Sequence, residues 1–286
     1  VRAPGILCAG LVALDFEFSV SDFPQPGLKH KASSAAAKAA GGALNAAAAV
    51  NALGGRAYLR AALGDDPLAD LMRSRIAARG VAMDGLHCVA GQITPHSAVL
   101  IQPGGERTII NYRDDRLCDT LPPLPRPFRF DAVLCDTRFP ALSAPVLAAA
   151  RKAGKPAVLD AEAPVRQLGD ALHLASHIAF SEQGLIDYAG ACTPATLRDV
   201  SRSLGAWVSV TRGPKPVLCD DGITGAEVPV PATRIDNSNG AGDFWHAAFT
   251  LGVALGQPEN AAVASANAVT ARHLSGRRIT PIIAAS

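Results

Sequence analysis

Short apolar runs rich in Val, Ile and Leu alternate with Ala- and Leu-rich helical stretches along most of this chain. That alternation restricts the fold more than any other property. Strands separated by a helix-length crossover pair in parallel, and a parallel sheet has to be covered on both faces. The pattern predicts strands over 6–13, 56–63, 132–135, 156–160, 177–181 and 207–211. Helices are expected over 44–53, 67–79, 143–153, 165–175 and 194–204, and two more between Gly240 and about His273. The expected class is α/β, a mainly parallel sheet flanked by helices on both faces, in one domain over residues 1–286. In such folds ligands bind at the C-terminal ends of the strands.

Two segments, about 16–40 and about 92–113, interrupt the alternation. The first has no helix-length apolar face, although its Ala-rich tract 35–40 is helical on propensity alone. The second reads as a hairpin: β-branched residues over 96–102 and 107–112 flank Pro103-Gly104-Gly105-Glu106. Inserted between α/β units, the two excursions are expected to form a small β-sheet lid; an extra sheet edge is the alternative. A lid suits a reaction that water would spoil.

The chemistry concentrates at Gly240-Ala241-Gly242-Asp243, where small residues run directly into a helical pattern. The start of a helix carries unpaired N–H donors and roughly half a positive charge, which attracts anions. Gly240, Ala241 and Gly242 leave room for a phosphate to approach those amides, and Asp243 places a carboxylate in the first turn. An anion pocket beside a base suits phosphoryl transfer from a nucleotide to an alcohol. Taken alone, the same residues would also serve as a tight loop before a packed helix.

Composition and competing motifs narrow the field. A net charge of +2 and dispersed basic residues argue against nucleic-acid and membrane partners. With 9 Phe, 3 Tyr and 2 Trp there is no platform for stacking bases. The six cysteines form no CxxC pair and several lie in apolar runs, so they read as buried hydrophobes in a reducing cytoplasm. The first apolar run, 5–14, is too short to span a bilayer. No Walker A loop is present, since Ala149 stands where Gly154-Lys155 would need a leading glycine; GxGxxG after the first strand, HExxH and GxSxG are also absent.

A second constellation, Gly41-Gly42-Ala43-Leu44-Asn45-Ala46-Ala47 with Gly54 and Gly64 beyond it, gives the first its specificity. Together they resemble the two signatures of the ribokinase-like (PfkB) carbohydrate kinases. The resemblance implies a cytoplasmic enzyme that uses ATP and Mg2+ to phosphorylate a small-molecule sugar, with a homodimer formed through the lid. It implies Asp243 as the catalytic base, with Gly240, Ala241 and Gly242 donating amides to the developing charge. Asp15, Gly41, Gly42 and Asn45 match sugar-side positions, and Ser181, Thr211, Gly213 and Asn267 match nucleotide-side ones. Two departures stand out. Where the family often carries Asn-x-x-Glu near the metal, this chain has Ser181-Glu182-Gln183-Gly184, so either Glu182 substitutes or the phosphates hold the ion. Asn237 replaces a more usual aspartate, which puts potassium activation in doubt.

Several stretches look closer to the 6-deoxy-6-sulfofructose kinases of that family, among them 105–112, 135–138, 158–160 and 179–182. There a lysine, an asparagine and an arginine grip a sulfonate, and Lys29, Asn111 and Arg138 match those places. A guanidinium fork can bond two oxygens of such a group at once. Ordinary surface roles for all three residues stay open, as do fructose, 2-keto-3-deoxygluconate, a phosphorylated sugar or a nucleoside as substrate. A catalytically silent sugar or nucleotide sensor is the alternative of a different class, which a retained Asp243 opposes.

Overall fold

The computed structural model describes residues 2–235, 240–277, 279, 281 and 282. A large sheet carries nine strands, introduced here in chain order with the helices. They are β1 (Gly5–Ala9), β4 (Arg56–Gly64), β5 (Gly85–Val89), β8 (Ala132–Cys135), β9 (Ala157–Ala161), β10 (His177–Ser181), β11 (Trp207–Arg212), β12 (Lys215–Asp220) and β13 (Gly225–Val228). Their spatial order is β13-β12-β11-β10-β9-β8-β1-β4-β5, parallel except at β12, which runs antiparallel to both neighbours. The helices are α1 (Gly42–Ala52), α2 (Pro67–Ala78), α3 (Pro140–Lys152), α4 (Glu182–Ala189), α5 (Pro194–Leu204), α6 (Ala241–Ala254) and α7 (Glu259–Leu274).

Two apolar cores form because successive strand residues point to opposite faces. On β1, Ile6 and Cys8 join one core with α1, α2, α6 and α7, while Leu7 and Ala9 join the other with α3 and α5. Burial on both faces explains why these strands read as unbroken apolar runs. The chain winds outward from β1 in both directions, to β4 on one side and β8 on the other. The crevice where the winding reverses therefore opens at the C-terminal ends of β1 and β8.

A smaller, four-stranded sheet in the order β3-β2-β6-β7 comprises β2 (Ala13–Ser19), β3 (Ser34–Ala40), β6 (His96–Ile101) and β7 (Arg107–Tyr112). The hairpin expected over 96–112 is present as β6 and β7, paired antiparallel. Three expectations need correction. The run 6–13 is not one strand: it breaks at Gly10, whose φ is 152°, and the chain leaves the large sheet for the small one. The Ala-rich tract 35–40 is strand, not helix, since a full ladder with β2 from Ala13↔Ala40 to Ser19↔Ser34 supplies its hydrogen bonds. A tract this short is marginal as a helix on propensity alone, so the strand partner decides. The helix expected over 165–175 is a 3₁₀ stretch, Arg166–Leu174, broken by Gly169 at φ 50° and ψ −132°.

Candidate active site

A cavity of about 460 Å³ lies between the small sheet and the C-terminal ends of β1, β8 and β9. Glycines set its floor. Gly41 caps α1 at φ 105°, and a Cβ there would sit 2.3 Å from the Leu11 carbonyl oxygen. A Cβ at Gly10 would fall 2.1 Å from Asp136 Oδ2, so the β1 turn closes over that carboxylate only as glycine. Asp136 in turn accepts hydrogen bonds from the amides of Leu11 at 2.7 Å and Arg138 at 3.0 Å. Burial raises its pKa, opposed by those bonds.

α6 begins at the wall of this cavity. Gly240 is its N-cap at φ 68°, and no side chain caps the first turn among the described residues. A Cβ at Gly242 would meet nothing within 4 Å, so packing does not demand glycine there. Its backbone faces open space instead. Asp243 follows, half-buried, and its Oδ2 accepts a 2.7 Å hydrogen bond from Asn45 Nδ2 on α1. Burial above all, then the charge of Asp160, pushes the Asp243 carboxyl up to about 7, against the Asn45 hydrogen bond and His246. One turn along α6, His246 is buried with Nδ1 3.3 Å from Asp160 Oδ2, yet neither ring nitrogen makes a well-aligned hydrogen bond. Burial lowers its pKa against the pull of Asp243 and only weak help from nearby backbone oxygens. Asp160 itself is raised well above the usual range by burial and by the charges of Glu162 and Asp136.

The sugar-side residues expected from sequence divide into three groups. Asp15, Gly41 and Gly42 line the cavity, with Asp15 on β2 of the small sheet and not at the end of the first strand. Burial raises its pKa, and Ser97 opposes the shift. Asn45 is used differently: its amide is spent on Asp243. Asn111 and Arg138 also reach the cavity, but the Arg138 guanidinium is already engaged, by Glu162 Oε2 at 2.5 Å and the Ala163 carbonyl at 2.8 Å. Lys29 is exposed on the loop between β2 and β3 and does not line the cavity. Arg113, which the sequence did not single out, lies on the same wall as Asn111. Its buried Nε lacks a hydrogen bond and stands 3.4 Å from Asp115, poorly aligned with it.

A second cavity, of about 530 Å³, adjoins the first, and Thr211, Ala241 and Gly242 line both. Gly213 and Asn267, expected on the nucleotide side, both line it, beside Val217, Val230 and Trp245. Asn267 is not solvated: Oδ1 accepts from Trp245 Nε1 at 2.8 Å, and Nδ2 donates to the Pro229 carbonyl at 3.0 Å. A mostly apolar cavity with a few fixed polar groups has the character of a small-molecule site. Ser181 lines the first cavity and spends its hydroxyl capping α4, accepting from the Gly184 amide at 2.9 Å.

Glu182 does not fit a metal role as placed. It lines neither cavity and pairs with Lys215 on β12 at 3.5 Å. Among the described residues no group of three or more His, Cys, Asp or Glu side chains is arranged to hold a metal ion. Asn237 lies outside the described residues. Asp136, Asp160, Glu162, Arg113 and His246 are among the wall residues that sequence reasoning left without roles. The one available signal was their place: Asp136 just past β8 and Asp160 near the end of β9, where ligand crevices form.

Comparison with known proteins bears on the family and the fold. A family model described as pfkB family carbohydrate kinase matches residues 3–275. An Agrobacterium tumefaciens structure, provisionally described as a ribokinase, is 32% identical over 98% of this chain and 94% of that one, with a TM-score of 0.85. Arabidopsis thaliana ribokinase, complexed with ribose and ATP, is 22% identical over 96% of this chain and 93% of that one, with a TM-score of 0.78. The nucleoside kinase of Methanocaldococcus jannaschii is 19% identical over 98% and 95%, with a TM-score of 0.77. These last two likenesses speak to the fold.

Proposed function

The chain belongs to the pfkB family of carbohydrate kinases, and from that premise we propose that it transfers the γ-phosphate of ATP to a primary hydroxyl of a ketose-type sugar. The leading candidate is 6-deoxy-6-sulfofructose, and fructose or 2-keto-3-deoxygluconate follow. The observation that carries the proposal is the N-terminus of α6: Ala241 and Gly242 lie, with Thr211, on the wall common to both cavities, and Asp243 follows immediately. The sugar takes the first cavity and the nucleotide the second.

Asp243 removes the proton of the attacking hydroxyl as its oxygen bonds to the γ-phosphorus and ADP leaves. A carboxyl held at about 7 can both accept that proton and exist ionised at neutral pH. The amides of Gly240, Ala241 and Gly242 donate to the charge gathering on the transferring group, with the helix dipole behind them. The small sheet closes over the sugar and keeps water from accepting the phosphate. Mg2+ would be carried by the nucleotide phosphates, since this ion keeps several waters and needs few protein ligands, and would neutralise phosphate charge there.

For the anionic substituent, Arg113 and Asn111 are better disposed than Arg138, whose guanidinium is hydrogen-bonded to Glu162 and Ala163 while Arg113 Nε makes no hydrogen bond, or Lys29, outside the cavity wall. The small sheet also shows Ile110 on β7, 65% exposed and outside the cavity wall, on a strand at an unpaired edge. This supports pairing with the same sheet of a second copy, which sedimentation would test. Among the described residues no helix is long and apolar enough to cross a membrane, in keeping with a cytoplasmic enzyme.

ADP release measured with sulfofructose, fructose, 2-keto-3-deoxygluconate, ribose and adenosine tests the assignment. Highest kcat/KM with the sulfonated ketose supports it. Preference for a neutral sugar removes the sulfonate, and tight ligand binding without turnover by any of them favours the sensor.

A further inference from the structure

We propose that Arg79 is a positioning residue for the Asp243 carboxylate, acting through the side-chain amide of Asn45. This rests on Asp243 being the base. Arg79 is the C-cap of α2, and neither the signatures nor either cavity just described includes it. Its Nη1 donates to Asn45 Oδ1 at 2.8 Å and to the Ala39 carbonyl on β3 at 3.2 Å. Asn45 then donates Nδ2 to Asp243 Oδ2 at 2.7 Å. The chain of bonds therefore runs from α2 through α1 to α6, with β3 held at the same guanidinium nitrogen.

The chemistry of the amide makes this a device for orientation. An asparagine side chain has one acceptor end and one donor end. Arg79 can only donate, and an ionised Asp243 can only accept, so one orientation of Asn45 satisfies both and the flipped one satisfies neither. Flipped, the amide oxygen would face a carboxylate. Arg79 thus removes the rotamer that would push Asp243 out of line, and the carboxylate is held before a sugar arrives. Preorganised placement of a reacting group is where a misalignment of about 1 Å costs about 100-fold in rate. Other titratable or charged groups on the same cavity wall, among the described residues, include Asp160 on β9, Glu162 and Asp136 beyond the strand ends, His246 on α6, Asp15 and His96 on the small sheet, Arg113 and Arg138. The Asp160 and Glu162 carboxylates oppose ionisation of Asp243, so a guanidinium behind Asn45 also favours the ionised base.

The test needs no substrate. Aspartate carboxyl carbons of the full chain are labelled and titrated by NMR, and the Asp243 signal is assigned by its loss in Asp243→Asn. In Arg79→Met, a chain that keeps its melting temperature should show the Asp243 midpoint about half a pH unit higher. Arg79→Lys, which keeps the charge, should recover at least half of that shift. In an Asn45→Ala background the same Arg79→Met change should move the midpoint less than half as far, the mark of residues acting in series. With a sugar that is turned over, kcat should fall about 10-fold while the KM for ATP holds. An unmoved midpoint in Arg79→Met overturns the proposal, and an equal shift without Asn45 overturns the route through it. Should Asp243→Asn retain near-native turnover, the base role fails separately, whatever the titration shows.

Discussion

Replacing Asp243 by Asn separates what this residue does for catalysis from what it costs the fold. Its carboxyl is raised from 3.8 to about 7, first by burial and then by the charge of Asp160. A carboxyl that binds its proton more tightly when folded works against stability once it must ionise. Below about pH 4 both states are protonated and the penalty is absent. Between about pH 4 and about pH 7 the unfolded chain ionises while the folded one does not, and native stability falls. Above about pH 7 the full penalty stands: roughly 3 units at about 1.4 kcal/mol each, a ceiling of about 4 kcal/mol. The substituted amide carries no charge at any pH and can still accept the Asn45 hydrogen bond. The variant should therefore gain about 1–3 kcal/mol at pH 8, a Tm rise of about 2–4 °C per kcal/mol, and nothing near pH 4. Its kcat should fall about 10²–10⁴-fold, equivalent to about 3–5 kcal/mol of barrier. Thermal unfolding at the two pH values and an ADP-release assay read both effects. Near-native turnover would refute the base assignment, and a Tm difference equal at pH 4 and pH 8 would refute the electrostatics.

Gly242→Ala should leave stability unchanged or up to about 1 kcal/mol higher, since its Cβ meets no protein atom, while kcat falls at least about 10-fold as the methyl enters the phosphate approach. Gly41→Ala should behave oppositely and cost about 3 kcal/mol in chemical unfolding, because φ 105° is unfavourable for alanine and the Leu11 carbonyl lies 2.3 Å from the new carbon. Arg113→Gln should lower kcat/KM for an anionic ketose about 10–100-fold and leave fructose within about threefold, as expected for the loss of a charged hydrogen bond. Arg138→Ala should discriminate less than Arg113→Gln, because Glu162 already holds that guanidinium.

What could be read from residue order alone was everything carried by local pattern. Apolar periodicity announced the alternating strands and helices and hence a parallel sheet covered on both faces. Small residues before an apolar helical run announced the α6 terminus, with Asp243 in its first turn. Both are encoded within a few residues, where propensity and spacing act directly. The tertiary structure decided what depends on distant partners. It made the Ala35–Ala40 tract a strand, since only β2 could offer the ladder. It moved Asp15 into the small sheet, spent Arg138 on Glu162 and put Arg113 on the cavity wall. It also brought Asn45 against Asp243 across 198 residues of chain, with Arg79 behind them. A side chain's hydrogen-bond partner and the burial that sets its charge are properties of the packed neighbourhood, and no local stretch of sequence contains that neighbourhood.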